Sequence, residues 1–168
     1  MSLPDKSSEI RIWIGFGQVI PEKMLRLRVN PHGVVSGDVL IHFPSDLTFM
    51  GVKDAARFRR QVMRSCTDLR RGKESDVCTA TFKHVPDWQS LRDKLVALGI
   101  TTLPNESVLP EPELLVLDGV AMVVELRDRT SYRAYQYSNR LSRSEPEAVA
   151  AAEIIRIVGE VFNEVNGT

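Results

Sequence analysis

Apolar and polar residues alternate along the first part of the chain, a pattern that is typical of β-strands. In EIRIWIGFGQVI (9–20), Ile10, Ile12 and Ile14 fall on one face. The segments MLRLRV (24–29) and VVSGDVLIHF (34–43) alternate in the same way, and NPHG between them supplies the proline and glycine of a turn. The first 43 residues therefore predict three antiparallel strands.

A helical period replaces this alternation from Val52 onward. Apolar residues and one cysteine recur at steps of three and four, which predicts an amphipathic helix that continues to Leu69. A short alternating segment, CTATF (78–82), then predicts a further strand. The stripe of the helix consists of Ala55, Phe58, Val62, Cys66 and Leu69.

Two more helices are predicted, each with a recognisable start. In PDWQSLRDKLVALG (86–99), Asp87 is the N-cap candidate and Gly99 the C-cap candidate. In SEPEAVAAAEIIRIVGEVFNEV (144–165), Ser144 and Glu147 have the spacing of a capping box.

The segment between these helices, ELLVLDGVAMVVELRDRTSYRAYQYS (113–138), predicts two or three strands with turns at LDG and RDR, the last two strands forming a β-hairpin. A turn at Asp128-Arg129 pairs Glu125 with Tyr132 and Met122 with Tyr135. Two of the three tyrosines then lie on the apolar face, and Tyr132 lies on the other face. The alternative is a row of tyrosines that faces a ligand.

Together these elements predict an α+β fold, with a largely antiparallel β-sheet and about three helices packed on one face. A chain of 168 residues can bury a substantial core within one domain. We expect residues 1–8 to be a disordered lead and residues 9–168 to form this single α+β domain.

The charge balance narrows the function classes. Twenty-two basic residues offset twenty-two acidic ones, which argues against a dedicated nucleic-acid or membrane-surface protein but leaves room for a local patch. No run approaches the length of a membrane helix, so no transmembrane segment is predicted. MSLPDKSSEI lacks the features of a signal peptide. Met1 is therefore either the natural start or the start of a trimmed mature chain.

Candidate chemistry is sparse. The dispersed histidines and the two cysteines do not form a metal site, no catalytic set is visible, and no cofactor is predicted. Cys66 and Cys78 are either a disulfide or two buried thiols. A basic run between Arg57 and Lys73 could neutralise phosphates or be a solvated face, and its members Arg57, Arg60 and Arg64 share one side of the predicted helix.

The C-terminal two-thirds of the chain resembles small bacterial envelope proteins and lipoproteins of unknown function. The resemblance rests on Cys66, Cys78 and the strings PDWQSLRDKLVALGI, LDGVAMVVELRD, YRAYQYSN and PEAVAAAEIIRIV. It implies a periplasmic or envelope location, if a signal peptide has been removed, and a Cys66–Cys78 disulfide. It carries no activity. If Met1 is the natural start, a cytoplasmic location follows instead.

The leading hypothesis is a non-enzymatic binding domain of the bacterial envelope whose partner is another protein. Its site is expected on the outer sheet face or in the proline-rich loop 101–113, with Glu125, Tyr132 and Arg133 as contact residues. The hairpin register places Arg133 on the inner face, from which its side chain would have to reach the edge of the sheet. One alternative is a cytosolic nucleic-acid-binding module that uses the basic helix Arg57–Lys73. The other is a hydrolase or transferase whose residues assemble only in the fold.

Overall fold

The computed structural model describes residues 7–15, 21–47, 49, 51–110, 121–138 and 145–166. Its elements, in chain order, are strands β1 (Ser8–Ile14), β2 (Glu22–Val29) and β3 (Val35–Pro44), helix α1 (Val52–Arg64), strands β4 (Cys66–Arg70) and β5 (Ser75–Ala80), helix α2 (Trp88–Ala97), the 3-10 helix Glu106–Val108, strands β6 (Ala121–Arg127) and β7 (Tyr132–Ser138), and helix α3 (Pro146–Asn163).

The strands form one sheet in the order β4-β5-β3-β2-β1-β6-β7, and every neighbouring pair is antiparallel. The predicted α+β fold with a largely antiparallel sheet is therefore confirmed. The three N-terminal strands pair as predicted, and β1 pairs with β6 on its other side. β1 begins at Ser8, the last residue of the predicted lead.

The core lies on one face of this sheet. Ile12 pairs with Leu25 on one side and Val124 on the other, and all three are fully buried. Residues from all three helices join the same cluster. Gly37 on β3 allows Trp88 of α2 to approach, because a Cβ atom at this position would overlap the indole ring.

The predicted helix from Val52 to Leu69 is wrong at its C-terminal end. α1 ends at Arg64, and Cys66–Arg70 form β4, which pairs with β5. The helical spacing of Cys66 and Leu69 was real, but backbone pairing with a later strand determined the local structure. β4 and β5 are consecutive strands joined by a short turn, and their pairing overrides the helical period that the segment shows by itself.

The predicted N-cap of α2 is confirmed, whereas its C-cap is Leu98 and the predicted Gly99 lies one residue beyond it. The Asp87 carboxylate accepts a hydrogen bond from the Ser90 backbone N–H at 3.1 Å. At the other end, Gly99 has a φ of 80° and its N–H donates to Val96, while the Ile100 N–H donates to Leu95. These two bonds form a Schellman motif. At α3 the N-cap position is Glu145, and Ser144 lies outside the described residues.

The predicted register of the β6–β7 hairpin is wrong by two residues. Met122 pairs with Tyr137 instead of Tyr135, and Glu125 pairs with Ala134 instead of Tyr132. The cause is a longer loop, 128–131. In this loop the Asp128 carboxylate accepts hydrogen bonds from the hydroxyl and backbone N–H of Ser131 and from the backbone N–H of Thr130. These bonds lower the pKa of Asp128 to about 2.

A shift of two residues keeps every side chain on its predicted face. Tyr135 and Tyr137 are buried in the core, as predicted, and their rings meet edge to face. The Tyr135 hydroxyl donates to the Ile100 carbonyl at 2.5 Å, and burial raises the pKa of this tyrosine. The hairpin is thereby attached to the end of α2.

Candidate functional site

Cys66 and Cys78 lie at disulfide distance, with their Cα atoms 5.5 Å apart. Cys78 is buried in β5, and Cys66 opens β4 just after α1 ends. The pair therefore joins the C-terminal end of α1 to the sheet. It is compatible with an oxidising compartment.

The sheet face opposite the helices carries three neighbouring rows of side chains. One row is apolar and two are charged. The register places Val123, Trp13, Met24 and Leu40 in the first row, Glu125, Arg11, Arg26 and Asp38 in the second, and Arg127, Glu9 and Arg28 in the third.

The charged rows largely neutralise themselves. Arg11 contacts the carboxylates of Glu9 at 2.6 Å and Glu125 at 3.2 Å. Arg26 donates two hydrogen bonds to Asp38, at 2.9 and 2.7 Å, and these bonds raise the pKa of Arg26. Such internal pairs orient the side chains but leave little net charge to attract a partner.

Two of the predicted contact residues, Glu125 and Tyr132, lie together at one end of this face. They line a cleft of about 240 Å³ with Glu9, Arg11 and Arg127. Tyr132 is 63% exposed; partial burial and the Glu125 carboxylate raise its pKa. The cleft could accept one polar group, but it is smaller than the ~300 to 1,000 Å³ of ordinary ligand pockets.

Arg133, the third predicted contact residue, lies on the helix side of the sheet. Its guanidinium donates to the carbonyl oxygens of Thr101 and Leu103. It also lies 5.0 Å from the ring centroid of Tyr135. These contacts hold the segment after α2 against β7, so Arg133 and Tyr132 do not share a surface.

The predicted arginine side of α1 is present. Arg57, Arg60 and Arg64 are exposed and, with Gln61, line a shallow surface of about 370 Å³. Arg70 belongs to β4, and Arg71 and Lys73 follow it, so the predicted basic helix Arg57–Lys73 is wrong beyond Arg64.

A larger groove with a volume of about 940 Å³ runs between α2 and α3. We call it the α2–α3 groove. Its floor is apolar, and Val85 at one end is 71% exposed. The apolar lining consists of Val85, Pro86, Leu91, Ala97, Leu98, Ile157 and Val161.

The rim of the α2–α3 groove is charged, and its net charge is negative. Arg156 forms ion pairs with Glu153 and Glu160, and the ring Nδ1 of His84 lies 3.2 Å from Glu164. The carboxylates of Asp87, Glu153, Glu160 and Glu164 outnumber the permanent cations Lys94 and Arg156.

Sequence reasoning missed the α2–α3 groove. Its lining recurs along each helix at steps of three and four, as in Asp87, Ser90, Leu91, Lys94 and Leu98. In a single helix this pattern is the ordinary boundary between a buried and a solvated face. The groove arises only because α2 and α3 pack side by side on one sheet, which places the boundary of one helix next to the boundary of the other.

Neither a metal-ligand cluster nor a membrane-spanning helix is found among the described residues. Within these residues, no group of three or more His, Cys, Asp or Glu side chains could hold a metal ion. No helix in the described ranges is long and apolar enough to cross a membrane.

Comparison with known proteins gives no identity. The chain matches no family model, and no curated protein is significantly similar to it. The resemblance to envelope proteins therefore stays a hypothesis.

Proposed function

We propose that this chain is a non-enzymatic interaction domain of the bacterial cell envelope, and that its α2–α3 groove binds a basic amphipathic helix of another protein. The observation that carries the proposal is the groove: about 940 Å³ of concave surface with an apolar floor and a negative rim. An apolar surface with convergent polar groups at its edge is the usual form of a binding site.

The lining favours a helix as the occupant. The described residues that line the groove belong to α2, α3 and the segments that flank these helices, and none of them belongs to a strand, so a partner cannot add a strand there. An amphipathic helix would place apolar side chains on Leu98 and Ile157 and cover the exposed Val85. Its basic residues would lie beside the Glu160 and Glu164 carboxylates, which favours a cationic partner.

The envelope location is supported by the Cys66–Cys78 pair and by the sequence resemblance. Disulfides persist in oxidising compartments and are rare in the cytosol. The two cysteines lie at disulfide distance, with Cys78 buried and Cys66 partly buried beside the core.

A synthetic helix tests the groove. The probe is a peptide with Leu at i, i+3, i+4 and i+7 and Lys elsewhere, and the control peptide carries Glu in place of Lys. In amide NMR spectra of the labelled protein, we expect the Lys peptide to shift residues of the α2–α3 groove. Equal shifts with the Glu peptide, or shifts elsewhere, would contradict the proposal.

Two variants of α2 make the test specific. Ala97→Trp fills the groove and should weaken binding of the Lys peptide by at least about tenfold, which corresponds to about 1.4 kcal/mol. Val96→Trp adds the same side chain at an exposed neighbour outside the groove and should change nothing. Wild-type affinity in Ala97→Trp would exclude the groove as the binding site.

The natural partner can be found with a photo-crosslinking amino acid in place of Ala97, compared with the same substitution at Val96. A partner captured only from position 97 should contain a basic amphipathic helix. Crosslinks of equal strength from both positions would show non-specific capture.

A further inference from the structure

α1 is attached to the fold along a narrow strip. Val62 is its buried residue, and the ring of Phe58 packs edge to face on Phe43. The C-terminal end is held by the Cys66–Cys78 pair two residues beyond the helix. The opposite side of α1 is exposed to solvent along its length.

This exposed side is basic. Lys53, Arg57, Arg60 and Arg64 are spaced at i, i+4, i+7 and i+11, so they form one stripe. All four are exposed, and none has an ion-pair or hydrogen-bond partner within the described residues. Unlike the arginines of the outer sheet face, these cations form no ion pair with any residue that the structure describes.

An exposed apolar stripe runs beside the cations. Val52 is 88% exposed and Met63 46% exposed, and at about 100° per residue the two lie about 20° apart around the helix axis. Phe49, just before the helix, is 63% exposed. Apolar groups left in water next to a cationic stripe are typical of helices that lie at a membrane interface.

We propose that α1 docks on the surface of an anionic phospholipid bilayer. The stripe Lys53, Arg57, Arg60 and Arg64 contacts lipid phosphates, and Val52 and Met63 enter the interface beside them. Lipid fits better than a nucleic acid because the exposed side chains on the helix itself, Val52 and Met63, gain from leaving water at a bilayer interface, whereas neither is an aromatic platform on which bases stack.

Co-sedimentation with vesicles tests this docking. With vesicles of equal parts phosphatidylglycerol and phosphatidylcholine, we expect binding that falls steeply as salt rises, because the attraction is largely electrostatic. Vesicles of phosphatidylcholine alone should bind at least about tenfold less. Equal binding to both vesicle types, or no binding to either, would overturn the proposal.

Matched variants distinguish binding through the α1 stripe from a non-specific effect of positive charge anywhere on the protein. Replacing Arg57, Arg60 and Arg64 by Gln should abolish vesicle binding, whereas replacing Arg70, Arg71 and Lys73 by Gln removes the same charge outside α1 and should preserve it. An equal loss in both triple variants would overturn the proposal. Circular dichroism and urea titration verify that each variant is folded.

The apolar stripe distinguishes lipid from nucleic acid. Val52→Ser combined with Met63→Ser leaves the charge unchanged and should reduce vesicle binding by about tenfold. Undiminished vesicle binding in this double variant, or binding of duplex DNA at lower protein concentrations than anionic vesicles, would overturn the lipid assignment.

Discussion

The helices α1 and α3 lie on the same face of one sheet but are held by very different contacts. α3 has 18 residues, and its buried side chains are those of Ala151, Ile154, Val158, Val161 and Phe162. α1 has 13 residues, and the buried side chain is that of Val62.

The difference follows from where each helix lies on the sheet. α3 packs on β1, which has paired strands on both sides, so the buried stripe of the helix meets apolar side chains from strands on both sides of its axis. α1 packs beside β4, an edge strand, and only part of its circumference can reach the core. The position of a helix over the sheet therefore limits how much of its apolar stripe is buried. For the same reason α3 stabilises the fold, whereas α1 keeps an exposed side that is available for contacts.

The largest effect is expected in α3. Ile154→Ala should lower the free energy of unfolding by about 3 to 4 kcal/mol, because it leaves a cavity at a fully buried position. Urea denaturation measures this change. Val149→Ala, at an exposed position of the same helix, should change it by less than about 0.5 kcal/mol. Similar losses in both variants would contradict the anchored role of α3.

Removal of the cysteine pair should act mainly on α1. The double variant Cys66→Ala and Cys78→Ala should lower the free energy of unfolding by about 3 kcal/mol, because the link closes a short loop in the unfolded chain. Hydrogen exchange should accelerate in α1 before α3, since α1 has few other attachments. Earlier exchange in α3 would reverse the comparison.

A smaller effect is expected at the contact between α1 and the core. Val62→Ala should lower the free energy of unfolding by about 1.5 kcal/mol, about 0.8 kcal/mol for each buried carbon that is lost. A loss as large as that of Ile154→Ala would show that α1 is anchored as firmly as α3. Circular dichroism during urea titration provides the measurement.

The sequence predicted most of the fold where the controlling groups are close together in the chain. Asp87 and Gly99 marked the ends of α2, because each acts on backbone groups within a few residues. The hairpin tyrosines fell on the predicted faces, but their register was wrong because Asp128 closes a longer loop. α1 was predicted too long because β4 depends on pairing with β5.

The candidate surfaces were also predictable only where their residues are close together in the chain. Glu125 and Tyr132 were identified from the sequence and lie in one cleft, but the sequence also grouped Arg133 with them, although its guanidinium binds carbonyls on the other side of the sheet. The arginine stripe of α1 was visible because helical period is a local property.

By itself, the sequence determined the periods of the strands and helices, the ends of α2, the antiparallel α+β class and the arginine side of α1. These features arise from groups within a few residues of one another. The tertiary structure decided the strand order, the end of α1 and the α2–α3 groove. The strand order and the groove depend on contacts between elements far apart in the chain, such as β1 with β6, and the end of α1 depends on the pairing of β4 with its neighbour β5. The energy of these contacts comes from burial that no single segment possesses.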